Sequence, residues 1–241
     1  MNYAAITDIG LTRDKNQDSY IVKKNQYGDV LALVCDGIGG GLAGEVASSE
    51  VVKYFDFAFE SSGPFSDLES IINYLDYHIA LANRNVYDLS RQIREYRGMG
   101  TTLTGILISE FGVLSINCGD SRVYGFLDNK VFHLTNDHTL VNRMLENGEI
   151  TIDEAENHPK RHYLVNAIGI FDKTDVDIHK VKDLDYYLIC SDGLHGLLSD
   201  DEISKVVYEE GMSLDQKVEA LKDLALLKGG YDNITVILVE R

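Results

Sequence analysis

Apolar residues along this chain fall into two kinds of pattern, and together they predict a mixed α and β protein. Short runs rich in Val, Ile, Leu and Tyr, bounded by Gly, Asp or Asn, predict strands over Tyr3–Thr7, Ser19–Lys23, Val30–Cys35, Thr102–Ser109, Val113–Cys118, Arg122–Leu127, Tyr186–Cys190 and Asn233–Glu240. The short link Glu110-Phe111-Gly112 makes a hairpin of the fourth and fifth. A first helix is expected from near Leu42 to about Ser61, and a second from the capping box Ser66-Asp-Leu-Glu69. Leu68, Ile72, Leu75, Ile79, Ala82, Val86, Leu89 and Ile93 then recur at three- and four-residue steps as one apolar stripe. The turn at Ser62–Phe65 is short enough to pack the two helices antiparallel. Ser199-Asp-Asp-Glu202 and Ser213-Leu-Asp-Gln216 open two more helices. Many short strands and two helix pairs, without regular β-α-β alternation, predict antiparallel sheets covered by helices, an α+β arrangement. No linker-like stretch interrupts the chain, so residues 1–241 are expected to form a single domain.

Composition narrows the function classes. Hydrophobic content of 44% suffices for a sizeable core. A net charge of −17 argues against nucleic-acid backbone and anionic membrane surfaces, both of which need basic patches. No apolar run approaches the ~20 residues that span a bilayer. The strand pattern starting at Tyr3 leaves no room for a targeting peptide, so a cytoplasmic protein is expected. Cys35, Cys118 and Cys190 show no C-x-x-C spacing. They read as small buried hydrophobes in a reducing compartment rather than as metal ligands.

The candidate chemistry lies where the strands end. Asp18 (N-Q-D-S), Asp36 (V-C-D-G), Asp120 (C-G-D-S-R), Asp192 (C-S-D-G) and Asp232 (Y-D-N-I-T) all stand at the starts or ends of apolar runs. Taken singly, an Asp-Gly is far more often a turn than a ligand. Taken together, carboxylates carried toward solvent from rigid strand ends make an oxygen-only site for hard cations such as Mg²⁺ or Mn²⁺, and point to metal-assisted hydrolysis. There is also an internal echo. Leu31–Gly40 (L-A-L-V-C-D-G-I-G-G) and Tyr187–Gly196 (Y-L-I-C-S-D-G-L-H-G) both run from an apolar strand through Asp-Gly into a glycine-bearing turn. Two such units facing each other would supply two edges of one site, although shared turn chemistry explains the echo equally well.

The ensemble of motifs resembles the metal-dependent serine/threonine protein phosphatases of type 2C, in their bacterial form. The resemblance rests on Thr7-Asp-Ile-Gly-Leu-Thr-Arg-Asp-Lys-Asn-Gln-Asp18, Asp36-Gly-Ile-Gly-Gly with Gly44-Glu45, Gly98-Met-Gly-Thr-Thr102 and Gly119-Asp-Ser-Arg122. It continues through His133-Leu-Thr-Asn-Asp-His-Thr139, His158-Pro-Lys-Arg161, Ala167-Ile-Gly169, Ser191-Asp-Gly-Leu194 and Asp232-Asn-Ile-Thr235. It implies a four-layer α-β-β-α sandwich around a binuclear centre. Asp36 would bridge two ions, the Gly37 carbonyl would hold one, and Asp192 and Asp232 the other. Asp18 would act mostly through metal-bound water, and Asp120 would hold a third, weaker ion beside Asp192. Arg13 would bind the phosphate, since its planar fork takes two oxygens at once, as against a plain surface or ion-paired Arg. Arg161 and His162 fall in the segment that forms a mobile flap in relatives, where they are either substrate contacts or solvated side chains. Arg122 and His138 read as structural. The implied partners are phosphorylated proteins made by a Ser/Thr kinase, and a monomer is expected.

One departure concerns leaving-group protonation. Eukaryotic relatives carry a histidine where this chain has Ile38, and bacterial ones carry it three residues later, where this chain has Gly41. His195 is a speculative substitute, with His158 and His162 behind it. That departure motivates an alternative, a non-catalytic metal-binding regulatory module. A partner-switching phosphatase for one dedicated regulator is a third reading. Those more distant relatives generally lack the Arg13-x-x-Asn16-Gln17-Asp18 signature, so the chain fits them poorly.

Overall fold

The computed structural model describes residues 1–40 and 43–241. Two antiparallel sheets lie face to face. One has the order β1 (Asn2–Asp8), β11 (Ile234–Glu240), β10 (Tyr186–Cys190), β7 (Arg122–Leu127), β8 (Lys130–His133). The other runs β2 (Asp18–Lys24), β3 (Val30–Ile38), β5 (Leu103–Ser109), β6 (Gly112–Cys118), β9 (Asp177–Val181), with β4 (Gly100–Thr101) paired to the end of β3. Helices α1 (Ala43–Glu60) and α2 (Leu68–Gln92) cover the second sheet, while α5 (Asp192–His195), α6 (Asp200–Val207) and α7 (Leu214–Leu227) cover the first. Two short helices, α3 (Leu140–Glu146) and α4 (Ile152–Glu156), project between β8 and β9. The α+β expectation and the α-β-β-α layering both hold.

The layering follows from side-chain alternation on strands buried on both faces. On β3, Leu31, Leu33 and Cys35 pack toward α1 and α2, whereas Ala32 and Val34 meet the other sheet. On β10, Leu188 and Cys190 face the α6/α7 side while Tyr187 and Ile189 point inward. Both faces are apolar, so these strands read as continuous hydrophobic runs. Cys35, Cys118 and Cys190 are free and buried, and burial pushes each thiol above its ordinary pKa, as expected of inert core residues.

Several local expectations shift. The α2 cap is Asp67, not Ser66: its side chain accepts from the Ser70 amide, and Ser70 answers as the capping-box partner. The most deeply buried stripe accordingly runs through Ile71, Leu75, Ile79, Ala82 and Val86, with Leu68, Ile72 and Leu89 at its margins and Ile93 beyond the helix. The caps at Ser199 and Ser213 stand where expected, each with its capping box. Strands β8 and β9 and helices α4 and α5 were not anticipated. No helix among the described residues is long and apolar enough to cross a membrane.

Candidate active site

The five aspartates gather at one end of the two sheets, and they are less exposed than strand-end acids would be. Asp18 opens β2 directly across from Asp36 on β3. Asp192 is the first residue of α5, Asp120 lies in the turn between β6 and β7, and Asp232 immediately precedes the short lead into β11. Asp18 and Asp120 are buried. Burial pushes the Asp18 carboxyl up to about 6, although hydrogen bonds from Ser191 and Thr235 pull the other way. Burial, then the Asp137 charge, pushes Asp120 up to about 7. Asp36 and Asp192 are held well above the ordinary carboxylate range, first by burial and then by the acids around them.

Neighbouring groups fix each acid from behind. Asp18 Oδ2 accepts from Ser191 Oγ and from Thr235 Oγ1, both at 2.7 Å, which ties the second sheet to the first. The Asp36 amide donates to Thr102 Oγ1 at 2.8 Å, and its carbonyl accepts from the Thr102 amide at 2.8 Å and Thr101 Oγ1 at 2.9 Å. Thr102 Oγ1 in turn shares a 2.8 Å hydrogen bond with Ser121 Oγ, next to Asp120. The Asn233 amide group donates to the Ile9 and Lys15 carbonyls at 2.9 Å each and accepts from the Gln17 amide at 2.8 Å. One side chain thereby shapes the loop that carries Arg13. Ser191, Asn233 and Thr235 belong to the recognised motifs, but their positioning work depends on partners in Asp18 and that loop, 173 residues away for Ser191 and more than two hundred for the other two.

Among the described residues, two carboxylate oxygens, Asp18 Oδ1 and Asp192 Oδ1, are buried without a hydrogen-bond partner. An unsatisfied buried oxygen is costly, and two of them amid clustered acids fit the donor set of a hard cation. Among the described residues no three acid, imidazole or thiol groups already converge tightly enough to hold an ion by themselves. Arg13 Nη2 donates to Asp232 Oδ2 at 2.6 Å and engages that carboxylate. This pairing also raises the Arg13 pKa.

The remaining candidates separate clearly. His195 Nε2 hydrogen-bonds the Asp120 carbonyl at 2.9 Å, and burial followed by the nearby Arg122 charge lowers its pKa to about 4. It is a neutral residue that positions Asp120. Arg122 grips Asp137 through Nε and Nη2 and reaches the Tyr124 hydroxyl, so its role is structural. His138 bonds Asp177, Asn166 and the Gly119 amide, also a structural part. Arg161, His162 and Tyr163 are exposed on the projecting segment, whose base is pinned by the bridge Thr139↔Leu164. Partial burial, then the Arg161 charge, lowers the His162 pKa, with the Asp232 charge opposing. Ile38 pairs with Gly100 through the backbone, while Gly41 lies outside the described residues.

Comparison with known proteins agrees with this picture. A family model described as protein phosphatase 2C matches residues 12–227. A putative protein phosphatase 2C-type of Streptococcus pyogenes is 36% identical over 241 residues, covering 99% of this chain and 97% of the relative. The serine/threonine phosphatase stp of Listeria welshimeri is 35% identical over 237 residues, covering 98% and 94%. The crystal structure of serine/threonine phosphatase Stp1 from Staphylococcus aureus superposes with a TM-score of 0.91 at 34% identity, covering 99% of this chain and 94% of that one. The chain belongs to the protein phosphatase 2C family. Within it, the protein is a bacterial-type protein serine/threonine phosphatase.

Proposed function

We propose that this phosphatase hydrolyses phosphoserine and phosphothreonine monoesters on proteins, with Mg²⁺ or Mn²⁺ held by Asp36, the Gly37 carbonyl, Asp192 and Asp232. Asp18 and Asp120 complete the set, Asp120 beside Asp192 for a third ion. The observation that carries this reading is the pair of orphaned buried oxygens, Asp18 Oδ1 and Asp192 Oδ1, at the focus of the acid cluster. Bound divalent ions supply acidified water and neutralise charge on the phosphoryl oxygens. The chain's own residues do the rest. Ser191 and Thr235 hold the Asp18 carboxylate in one orientation, and Thr101 and Thr102 fix the Asp36 backbone. Arg13, with its side chain half exposed, presents a planar fork to the phosphoryl group once it exchanges Asp232 for substrate oxygens. His195 is committed to the Asp120 carbonyl, which leaves the leaving-group proton to water.

The likeness to relatives named serine/threonine phosphatase supports phosphoproteins, products of a Ser/Thr kinase, as substrates. The three buried free thiols support a reducing, cytoplasmic setting, and a monomeric single domain over residues 1–241 completes the reading. The test is release of phosphate from a phosphothreonine peptide with Mn²⁺, with Mg²⁺ and with EDTA. Metal-dependent release that Asp232→Asn lowers by about 10²-fold or more is expected. A folded protein inactive in every metal would favour the non-catalytic module instead.

A further inference from the structure

The two loops that carry Arg13 and Asp232 also push large apolar side chains into solvent. Leu11 is 67% exposed and Tyr231 64%. Three cross-loop bonds lock these segments side by side. The Leu11 amide donates to the Gly230 carbonyl at 2.8 Å, Thr12 Oγ1 to the Tyr231 carbonyl at 2.7 Å, and Arg13 Nη2 to Asp232 Oδ2 at 2.6 Å. Residues 11, 12 and 13 therefore run beside 230, 231 and 232 position for position. The turn beneath is bare by necessity. A Cβ on Gly229 would lie 2.3 Å from the Tyr231 ring and one on Gly230 would lie 3.0 Å from Leu11 Cγ, and both glycines hold positive φ, 127° and 50°.

A single exposed Leu or Tyr is ordinary and needs no explanation. Here Leu11 and Tyr231 are fixed within one or two residues of the proposed phosphate ligand and its acid partner, on a protein whose net charge is −17. The arrangement rests on the reading of the site given above. We propose that Leu11 and Tyr231 form an apolar step that receives an apolar side chain flanking the phosphorylated residue of the substrate protein. An extended peptide advances about 3.3–3.6 Å per residue, so with its phosphate at Arg13 a side chain one or two positions away reaches the step. Contact there removes apolar surface from water on both partners. The net charge of −17 disfavours acidic flanks in the same place.

The experiment compares two phosphothreonine peptides in Mn²⁺, one with Leu on both sides of the phosphoresidue and one with Ser. The wild-type protein should favour the Leu peptide by about fivefold or more in kcat/KM, expressed in KM. Leu11→Ser combined with Tyr231→Ser should bring that ratio toward one, while Leu11→Met, which keeps an apolar side chain, should retain it. Equal use of both peptides by the wild type, or a preference that survives the double substitution, would overturn the inference. Para-nitrophenyl phosphate, too small to reach the step, separates the failures. Its hydrolysis without any peptide preference refutes only the step, whereas no hydrolysis of any substrate refutes the phosphatase reading beneath it.

Discussion

Leu31–Gly40 and Tyr187–Gly196 share one order of events, apolar strand then Asp-Gly then turn, yet their backbones part company at the aspartate. In the first, β3 continues straight through Asp36 and Gly37 because it is paired on both sides: Asp18 faces Asp36 from β2, and Thr101 faces Gly37 from β4. In the second, β10 stops at Cys190, Ser191 takes the N-cap position, and Asp192 starts the single turn of α5. Local sequence delivers the acid to the end of the strand. The neighbours decide whether the chain beyond it stays extended or coils. Because β3 and β10 belong to different sheets that pack face to face, the two acids approach one volume from opposite sides.

Both units depend on a glycine at a backbone crossing, which gives the sharpest way to break the comparison. A Cβ on Gly37 would lie 2.2 Å from the Gly44 carbonyl oxygen, and one on Gly193 would lie 2.0 Å from the Asn233 carbonyl oxygen. Neither neighbour is a flexible side chain that could swing aside. Gly37→Ala and Gly193→Ala should each cost roughly 3–5 kcal/mol in urea unfolding. Gly40→Ala, in the same echo but with no atom of the described residues within 4 Å of the added Cβ, should change stability by less than about 0.5 kcal/mol. Three equal values would mean that the echo is a matter of turn composition, not of packing.

The acids themselves sharpen the comparison through pH. In the metal-free protein Asp18 and Asp120 hold protons up to about 6 and 7, against 3.8 for an ordinary Asp, and Asp36 and Asp192 are raised as well. The folded state thus binds more protons than the unfolded chain. The associated stability is present in full at low pH and is lost as pH rises through these folded values. In EDTA, Tm should fall from about pH 5 to about pH 7.5, and millimolar Mn²⁺ should restore it at the upper end. Asp192→Asn should flatten the fall and remove most of the Mn²⁺ effect. A metal-free Tm that does not decline over this range would contradict the mutual burial of the acids.

A smaller effect than at Gly37 or Gly193 is expected at His195, which serves only the second unit's side of the site. His195→Ala leaves the Asp120 carbonyl without its donor and should cost about 1–2 kcal/mol. The pH profile of kcat should keep its shape, because a neutral positioning residue titrating near 4 contributes no ionisation in the working range. A lost limb in that profile would return His195 to proton transfer.

Much of the fold was legible because its central strands are apolar on both faces and its later helices announce themselves with Ser-x-x-Glu and Ser-x-x-Gln boxes. The misses have local reasons. Strands β8 and β9 lie at sheet edges and are largely exposed, so they lack an apolar run. One signal for β8 was present: Asp128 and Asn129 hold positive φ of 52° and 58° and form the two-residue turn between Leu127 and Lys130. The α2 cap was ambiguous because Ser66 and Asp67 are adjacent competent caps, and the choice falls to the residue with Ser70 three positions on. At the site, acid-rich strand ends could be read directly. The work of Ser191, Asn233 and Thr235 could not, since a hydrogen bond spanning 217 residues leaves no local trace.

That long span has a consequence for the order in which the protein becomes competent. Among the described residues strand β1 finds its only sheet neighbour in β11, and the loop around Arg13 takes its shape from Asn233. On a ribosome, the opening residues emerge early but wait for the closing ones before they can dock. A nascent chain therefore carries an unassembled site until β11 has been made and pairs with β1.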